Sequence, residues 1–238
     1  IHGWPMVRHV YERARRAETL DEVVIATDDP RVMDAVAAFG GRALMTSPSC
    51  PTGTDRLAEA SRQIDADIYV NVQGDEPMID PATIDLAVNG LKNDPDAAIS
   101  TLSLPLRHFD EMMSDAVVKV VADARGHALY FSRSPIPHAR TTERTFEAAA
   151  RAALASGQTR KHVGLYVFRR DALANFAALK PSPLEQLEQL EQLRALHHGL
   201  NILVVPVDGE SAVAVDTPAD LERARLLISP DSTAARNH

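Results

Sequence analysis

The chain has 238 residues, 45% hydrophobic and 5% aromatic, so it is long enough for one large or two small domains. Its 33 acidic and 25 basic residues give a formal net charge of -8, which argues against nonspecific nucleic-acid binding because that needs a positive surface. No apolar run reaches the roughly 18 residues of a membrane-spanning helix. We therefore expect neither nucleic acid nor a membrane as a partner, and the single cysteine, Cys50, fits a reducing cytoplasm.

The beginning of the chain is unusual. Its first residue, Ile1, cannot be an initiator, and the segment PMVRHVYERARRAE follows almost at once with apolar residues at helical spacing. Nothing in the sequence resembles a signal peptide. We expect that the natural N-terminus is missing.

Strand-like and helix-like segments alternate along the chain. The strand-like runs are EVVIAT (22–27), RALM (42–45), DIYVNV (67–72), AAISTLSL (97–104), AVVKVVAD (116–123), KHVGLYVFR (161–169) and NILVVPV (201–207). Two of the intervening helices begin with a capping signal, Asp29 before Pro30 and Asp80 before Pro81. This alternation predicts right-handed βαβ units and an α/β fold with a largely parallel sheet.

Two segments depart from this alternation. Residues 133–160 contain two closely spaced prolines and weak helical character, so we expect an arm-like excursion from the sheet. The segment PLEQLEQLEQLRAL has leucine at every third position, and each such step turns about 300° on an α-helix, so the leucines wind around it. We interpret it as a helix buried on more than one side rather than a coiled coil, with Glu185, Glu188 and Glu191 facing different directions.

The run VNVQGDEPMI (70–79) ends a predicted buried strand with two consecutive carboxylates. Gln73, Gly74 and Asp75 then lie just beyond the carboxyl end of that strand, where open α/β sheets bind ligands. Asp75 could cap the next helix, but Asp80 already supplies that start. A metal-binding or catalytic role for Asp75 therefore stands beside the structural one.

A second aspartate near the end of the chain has the same character. Thr217, Pro218 and Asp220 form a capping box at the start of a helix, which leaves the preceding Asp216 without a capping role. Two aspartates at strand-to-helix junctions suit a hard divalent cation such as Mg²⁺, which takes one or two carboxylates and completes its shell with phosphate oxygens and water.

Several motifs, in their order and spacing, resemble the family of 3-deoxy-manno-octulosonate cytidylyltransferases, also called CMP-Kdo synthetases. They are NVQGDEP, TGTDRLAEA, ALYFSRSPIP, KHVGLYVFRRDAL, PSPLEQLEQLEQLR and VDTPADLERAR, and the resemblance runs from about Gly3 to about Leu227. It implies transfer of CMP from CTP to the sugar acid 3-deoxy-D-manno-octulosonate (Kdo) with release of pyrophosphate, using Mg²⁺, in lipopolysaccharide biosynthesis.

The resemblance also implies an architecture. It is a three-layer α/β/α Rossmann-like nucleotidyltransferase fold with a largely parallel, mixed sheet, in a single domain over residues 1–238. Residues 133–160 would form the dimerisation arm of a cytoplasmic homodimer.

By the same resemblance, Asp75 and Asp216 hold the metal and serve the reaction. The sugar would be lined by Gln73, Arg133, His162, Tyr166, Glu191 and Gln192. The nucleotide would be bound near Gly53, Thr54, Arg56 and Gly74. Without the resemblance, Arg133 would be interpreted as a surface arginine and His162 as a core histidine.

The sequence departs from the family pattern in two places. In TGTDR, Asp55 stands where the family usually has glutamate, which preserves the charge. The family's first strand and its glycine-containing Arg/Lys loop, which cradles the triphosphate, would precede IHGWPM. The alternatives left open are a cytidylyltransferase for a related acidic sugar, such as 8-amino-Kdo or neuraminate, and a noncatalytic nucleotide- or sugar-binding protein without the triphosphate loop.

Overall fold

The computed structural model describes residues 1–209, 214–215 and 217–229. The chain divides into two compact units, unit 1 with Ile1–Leu86 and Ala212–His238, and unit 2 with Ala87–Ser211. The single domain stays a prediction. In the described part of the chain, no helix has both the length and the apolar character needed to span a membrane.

Unit 1 contains a small parallel pair of strands. Strand β1 (Ile25–Thr27) pairs with β2 (Ala43–Met45), so that both strands end side by side at Thr27 and Met45. The other elements of unit 1 are α1 (Met6–Ala14), α2 (Pro30–Ala38), α3 (Gly53–Ser61), β3 (Ile68–Asn71) and α10 (Pro218–Leu227). Helix α4 (Pro81–Asn93) begins in unit 1 and ends in unit 2.

The predicted helix starts in unit 1 are confirmed. The Asp29 carboxylate accepts a hydrogen bond from the N–H of Arg31 (2.8 Å). Asp80 accepts one from the N–H of Ala82 (3.1 Å). At α10 the two halves of the capping box between Thr217 and Asp220 are both present. These caps satisfy N–H groups that a helix cannot satisfy by itself.

Unit 2 is organised around a mixed sheet with the strand order β6-β5-β7-β4-β8. The strands are β4 (Ile99–Pro105), β5 (Lys119–Ala122), β6 (Ala128–Ser132), β7 (Arg160–Arg169) and β8 (Ile202–Pro206), and the helices are α5 (Phe109–Met113), α6 (Phe146–Ala155), α7 (Arg170–Ala178), α8 (Pro183–Glu188) and α9 (Gln192–His197). Strands β4 and β8 are parallel, whereas β4–β7, β5–β7 and β5–β6 are antiparallel. The predicted mixed α/β sheet is confirmed, but antiparallel pairings outnumber the parallel one in unit 2, and the strand-like runs missed β6.

The leucine-rich segment does not form one helix, so that prediction was wrong. Helix α8 ends at Glu188, and Gln189 adopts a left-handed backbone conformation (φ 54°) before α9 begins at Gln192. The three glutamates do face different directions. The buried Glu185 pairs with Arg194, and Glu188 accepts a bond from Ser132 of β6. Glu191 lies near Tyr166 of β7. A break of this kind leaves the backbone between α8 and α9 free to bond to other elements.

The predicted excursion over residues 133–160 contains a packed helix. Ala150 and Ala153 of α6 are buried in a cluster with Met112 of α5 and Leu106. Thr145 caps α6 by accepting the N–H of Ala148 (3.2 Å). The segment is therefore anchored to unit 2 through one apolar face.

Candidate functional site

In unit 1, Asp75 lies in a turn just beyond the carboxyl end of β3, as predicted. The turn is closed by backbone bonds from Glu76 N to Gln73 O (3.3 Å) and from Ile79 N to Glu76 O (3.1 Å). The carbonyl oxygen of Asp75 accepts a bond from Val215 N (2.8 Å). Since Asp80 caps α4, Asp75 has no capping task. The predicted partner, Asp216, lies outside the described residues.

The neighbouring Glu76 reports the electrostatics of this turn. Burial and, secondarily, the negative charge of Asp75 raise the pKa of Glu76 to about 7. A carboxyl group resists ionisation in this way where little water and no positive charge offset it. The turn is therefore a place where a cation would relieve a concentration of negative charge.

The carboxylates available near Asp75 can be compared with the ligands that Mg²⁺ requires. No three metal-ligating side chains cluster within residues 1–209, 214–215 and 217–229. Mg²⁺ does not require such a cluster, because it commonly takes one or two carboxylates and fills its other positions with water and substrate phosphates. Asp75 thus fits a magnesium site that is completed by a substrate, but not a metal cage built by the protein alone.

The predicted nucleotide residues Gly53 and Thr54 form the first turn of α3. A Cβ atom added at Gly53 would lie 3.2 Å from the side-chain amide of Gln73, so the glycine lets Gln73 pack against the helix. The Gln73 amide nitrogen also donates to Asn71 Oδ1 (3.2 Å). The structure therefore brings Gln73 beside Gly53, although the sequence assigned one to the sugar and the other to the nucleotide. Gly74 is exposed, and a Cβ there would meet no atom within 4 Å.

Arg56 extends from α3 to the carboxyl ends of β1 and β2. Its Nη1 donates to Thr46 Oγ1 (2.6 Å), and its Nη2 lies 3.2 Å from Asp28 Oδ1. Asp28 directly follows β1, and Thr46 directly follows β2. Sequence reasoning missed both partners, because only the parallel pairing of two distant segments makes them neighbours.

In unit 2, an irregularity in β7 brings two predicted sugar residues together. The register of β4 against β7 shifts between Thr101 and Leu102, and residues 164–165 are extra on the β7 side. In a regular strand, residues four positions apart are separated by about 13 Å. The bulge instead places the rings of His162 and Tyr166 with their centroids 5.3 Å apart.

His162 is held as a neutral imidazole. Its Nε2 lies 2.8 Å from Thr101 Oγ1, which also contacts the carbonyls of Leu165 (2.8 Å) and Val163 (3.1 Å). The hydroxyl has one hydrogen, which goes to a carbonyl, so it accepts from Nε2–H and leaves Nδ1 as an acceptor. Burial lowers the pKa of His162 to about 3. The residue cannot act as a cation at neutral pH.

Tyr166 also lies near the residues that begin α9. Burial and the charge of Glu191 raise the pKa of Tyr166 well above its ordinary value, which identifies Glu191 as a neighbour of the phenol. Gln192 is 6% exposed, and its amide nitrogen has no hydrogen-bond partner among the residues that the structure describes. A buried amide without a partner is costly, so it needs an explanation, and a bound ligand or water is one.

Arg133 is tied to the end of α8. Its Nε donates to Glu188 O (2.7 Å), Nη1 to Asp115 O (2.8 Å) and Nη2 to Gln189 O (3.3 Å). The bonds to Glu188 O and Gln189 O satisfy carbonyls that the break after α8 leaves open. A guanidinium has five N–H donors, so these contacts leave donors for a carboxylate. The role of Arg133 in sugar binding stays a prediction.

Lys119, which the sequence analysis did not select, is buried beneath Arg133. Its ammonium donates to the carbonyls of Ser114 (2.7 Å), Val117 (2.8 Å) and Arg133 (2.6 Å), and its side chain is fully buried. Burial lowers the pKa of Lys119. A lysine within the apolar run AVVKVVAD was the signal that could have revealed this anchor.

Comparison with known proteins first defines the class. A family profile described as Cytidylyltransferase matches residues 1–202. A 4-diphosphocytidyl-2C-methyl-D-erythritol synthase structure from Anaerococcus prevotii is only 13% identical but has a TM-score of 0.57, covering 94% of this chain and 86% of that one. The latter likeness shows the fold alone, an α/β nucleotidyltransferase fold.

Closer relatives define the particular family. A 3-deoxy-manno-octulosonate cytidylyltransferase from Geotalea daltonii is 52% identical over 225 residues, covering 94% of this chain and 87% of the relative. A solved structure of a CMP:2-keto-3-deoxy-manno-octonic acid synthetase complexed with CTP is 45% identical, with a TM-score of 0.84 over 94% of this chain and 87% of that one. The chain therefore belongs to the 3-deoxy-manno-octulosonate cytidylyltransferase family.

Proposed function

We propose that this protein transfers CMP from CTP to Kdo, giving CMP-Kdo and pyrophosphate in a Mg²⁺-dependent reaction. The observation that carries the proposal is the 45% identity and TM-score of 0.84 with a synthetase of the same name complexed with CTP. The side chains predicted to bind the sugar and the nucleotide, where the structure describes them, have chemistry consistent with this reaction. CMP-Kdo would then serve lipopolysaccharide biosynthesis, as the resemblance implies.

The sugar acid is assigned to the residues of unit 2. At neutral pH, His162 offers Nδ1 as an acceptor, while the buried Gln192 amide offers donors to a hydroxyl or carboxylate. Arg133 retains N–H groups for the Kdo carboxylate, which a planar guanidinium recognises through two parallel bonds. These neutral and cationic donors suit an anionic, hydroxyl-rich substrate.

The nucleotide and metal are assigned to residues of unit 1. In this acidic chain, Arg56 supplies positive charge beside Gly53 and Thr54, and Asp75 supplies a hard oxygen ligand. Asp216 is included because Val215, which precedes it, donates to the Asp75 carbonyl. Bound Mg²⁺ would supply polarisation of the α-phosphate.

The reaction proposed is in-line attack of the anomeric hydroxyl of Kdo on the α-phosphorus of CTP, with pyrophosphate as the leaving group. Nucleotidyl transfer depends mainly on positioning the reacting oxygens and stabilising developing charge. The residues of this chain would bind and orient the two substrates, and we assign no general base. The lone Cys50 supports a reducing, cytoplasmic location.

We also propose a two-fold homodimer that uses residues 133–160. Phe146 at the start of α6 is 53% exposed, although α6 is otherwise packed through its alanines. A single exposed apolar side chain is common on monomer surfaces, so the dimer proposal rests on the family resemblance, and Phe146 is the apolar residue of this segment available for the interface. Light scattering at micromolar concentration should give twice the mass of the chain, and a monomer would contradict the dimer.

The test of the activity is direct. Purified protein is incubated with CTP, Kdo and Mg²⁺, and CMP-Kdo is identified by mass while pyrophosphate release is followed. Parallel reactions replace Kdo by 8-amino-Kdo or neuraminate, or add excess EDTA. Preference for another sugar would correct the substrate, undiminished turnover in EDTA would overturn the metal, and CTP binding without product would favour a noncatalytic binder.

A further inference from the structure

We propose that Asp28, together with Thr46, is a positioning residue that holds the Arg56 guanidinium toward the nucleotide. The inference rests on the proposed function, in which Arg56 binds CTP. It adds two residues that neither the motifs nor the resemblance selected. Both act through Arg56 rather than through contact with the substrate.

The first support is the origin of the two contacts. Asp28 and Thr46 are the first residues after the parallel strands β1 and β2. The two strand ends are tied by the bond from Thr46 N to Thr27 O (2.9 Å). Ligands of α/β proteins bind beyond the carboxyl ends of such strands. Arg56 is thus held at the edge where a ligand is expected.

The second support is the geometry at the guanidinium. Nη1 donates to the buried Thr46 hydroxyl (2.6 Å), and Nη2 pairs with Asp28 at 3.2 Å. An arginine side chain loses rotamer freedom when it binds a ligand, and fixing it before the ligand arrives removes part of that entropic cost. Because the group has five N–H donors, these two contacts leave donors for a phosphate or the base.

The third support is the exposure of the pair. The Arg56 side chain is 22% exposed and that of Asp28 38% exposed, so the guanidinium is restrained yet reachable from solvent. An ion pair exposed to this degree contributes little to stability. Its value to the protein therefore lies in orientation rather than in holding the fold together.

Helix α3 itself is fixed independently of this pair. Glu59, one turn beyond Arg56, accepts bonds from Ser47 N (2.7 Å) and Cys50 Sγ (3.1 Å). Thr52 caps the helix by accepting the N–H of Asp55 (3.1 Å). Removing Asp28 should leave α3 in place, so the change would act on the Arg56 side chain.

The direction in which Asp28→Asn changes CTP binding distinguishes two roles for Asp28, the positioning of Arg56 and the repulsion of the triphosphate. If the Asp28 carboxylate only repelled the triphosphate, Asp28→Asn would tighten CTP binding. If it holds Arg56, the same change should weaken CTP binding about tenfold and raise the KM for CTP by a similar factor. In the second case, kcat and the KM for Kdo should change by less than about threefold. At Thr46, Thr46→Val should resemble Asp28→Asn, whereas Thr46→Ser, which keeps the hydroxyl, should restore binding.

A double-mutant cycle with Arg56→Lys tests whether the residues act as one unit. Equilibrium dialysis of radiolabelled CTP with Mg²⁺ and steady-state kinetics are measured for wild type, both single variants and the double variant. The double variant should bind no more weakly than Arg56→Lys alone. The matched control is Asp29→Asn, which removes the neighbouring carboxylate that pairs with Arg31. The new asparagine can still cap α2, so the helix should be unchanged.

Each outcome decides the inference. Tenfold weaker CTP binding in Asp28→Asn, absent in Asp29→Asn and not additive with Arg56→Lys, supports it. Unchanged or tighter binding, additive effects, or a lower melting temperature with an unchanged KM overturns it while the proposed function stands. A wild-type protein that binds no CTP overturns the proposed function and this inference together.

Discussion

Asp75 and Arg56 of unit 1 are held by different kinds of interaction from His162 and Tyr166 of unit 2. In unit 1, Asp75 lies in a partly buried turn and Arg56 in a partly exposed ion pair, so charge remains near solvent. In unit 2, His162 and Tyr166 are packed as uncharged rings beside a bulge. Charged ligands can be drawn to the first group, whereas the second is suited to recognising the shape and hydrogen-bonding pattern of a substrate.

The largest expected effect tests the charged side of this comparison. Asp75→Asn keeps the size of the side chain but removes the charge proposed to bind Mg²⁺. Turnover should fall about a hundredfold or more, or roughly 3 kcal/mol of transition-state stabilisation, while Asp80 still caps α4. Thermal melting and Mg²⁺-dependent turnover are measured with Glu76→Gln as the neighbouring-carboxylate control. A destabilised Asp75 variant whose folded fraction turns over normally would contradict the metal assignment.

The next effect concerns the neutral side and depends on pH. The pKa of His162 is about 3 in the folded protein, so between pH 6.5 and pH 3 the unfolded chain binds a proton that the folded chain does not. Stability contributed by neutral His162 is present above pH 6.5 and is lost as pH falls. Between pH 7 and pH 4.5, the unfolding free energy of wild type should fall by about 2 to 3 kcal/mol through this residue.

Urea unfolding of wild type and His162→Gln at several pH values measures this contribution. The difference in unfolding free energy between the two proteins should shrink as the pH falls. His197→Gln, which removes an exposed imidazole of the same unit, is the matched control. A difference that stays constant from pH 7 to pH 4.5 would show that the pKa of His162 is the same in the folded and the unfolded protein, and would contradict the prediction.

A third prediction separates binding from stability at Gln192. Replacing this buried amide, which lacks a partner in the described part of the chain, by leucine removes an unsatisfied donor. Stability should stay equal or rise by about 1 kcal/mol, while the KM for Kdo increases about tenfold. Melting temperature and the KM values for Kdo and CTP are measured together. An increased KM for CTP alone would remove Gln192 from the sugar site.

The smallest effect is expected at the bulge itself. A Cβ at Gly164 would meet no atom within 4 Å, so Gly164→Ala should change the unfolding free energy by less than about 0.5 kcal/mol and leave activity intact. The contrasting variant is Gly90→Ala, whose Cβ would lie 2.5 Å from Val205 Cγ2. Loss of Kdo binding in Gly164→Ala would mean that the glycine, rather than the strand pairing, sets the bulge.

The parts of the molecule that were predictable from sequence are those set by local chemistry. Asp29, Asp80 and Thr217 cap helices within a few residues of themselves, and Asp75 follows a strand that its own apolar run predicts. The resemblance supplied the family and the candidate residues. Neither source required knowledge of which strands pair.

What could not be predicted depends on pairing between distant segments. The contact of His162 with Tyr166 arises from a register shift against β4, for which Gly164 was only a weak signal. The support of Arg56 by Asp28 requires β1 beside β2. The break at Gln189 overrides a repeat that locally favours a helix, because the carbonyls it frees are bonded by Arg133.

Lys119, whose three ammonium N–H groups all donate to carbonyls, can serve as a probe of local unfolding. Acylating reagents modify an uncharged, accessible amine, and this one is fully buried with three carbonyl partners. Its labelling under native conditions would require the junction of β5 and β6 to open. The rate of Lys119 modification, followed by mass spectrometry, would therefore measure how often the structure around Arg133 opens locally. Exposed lysines in the same sample would report the activity of the reagent.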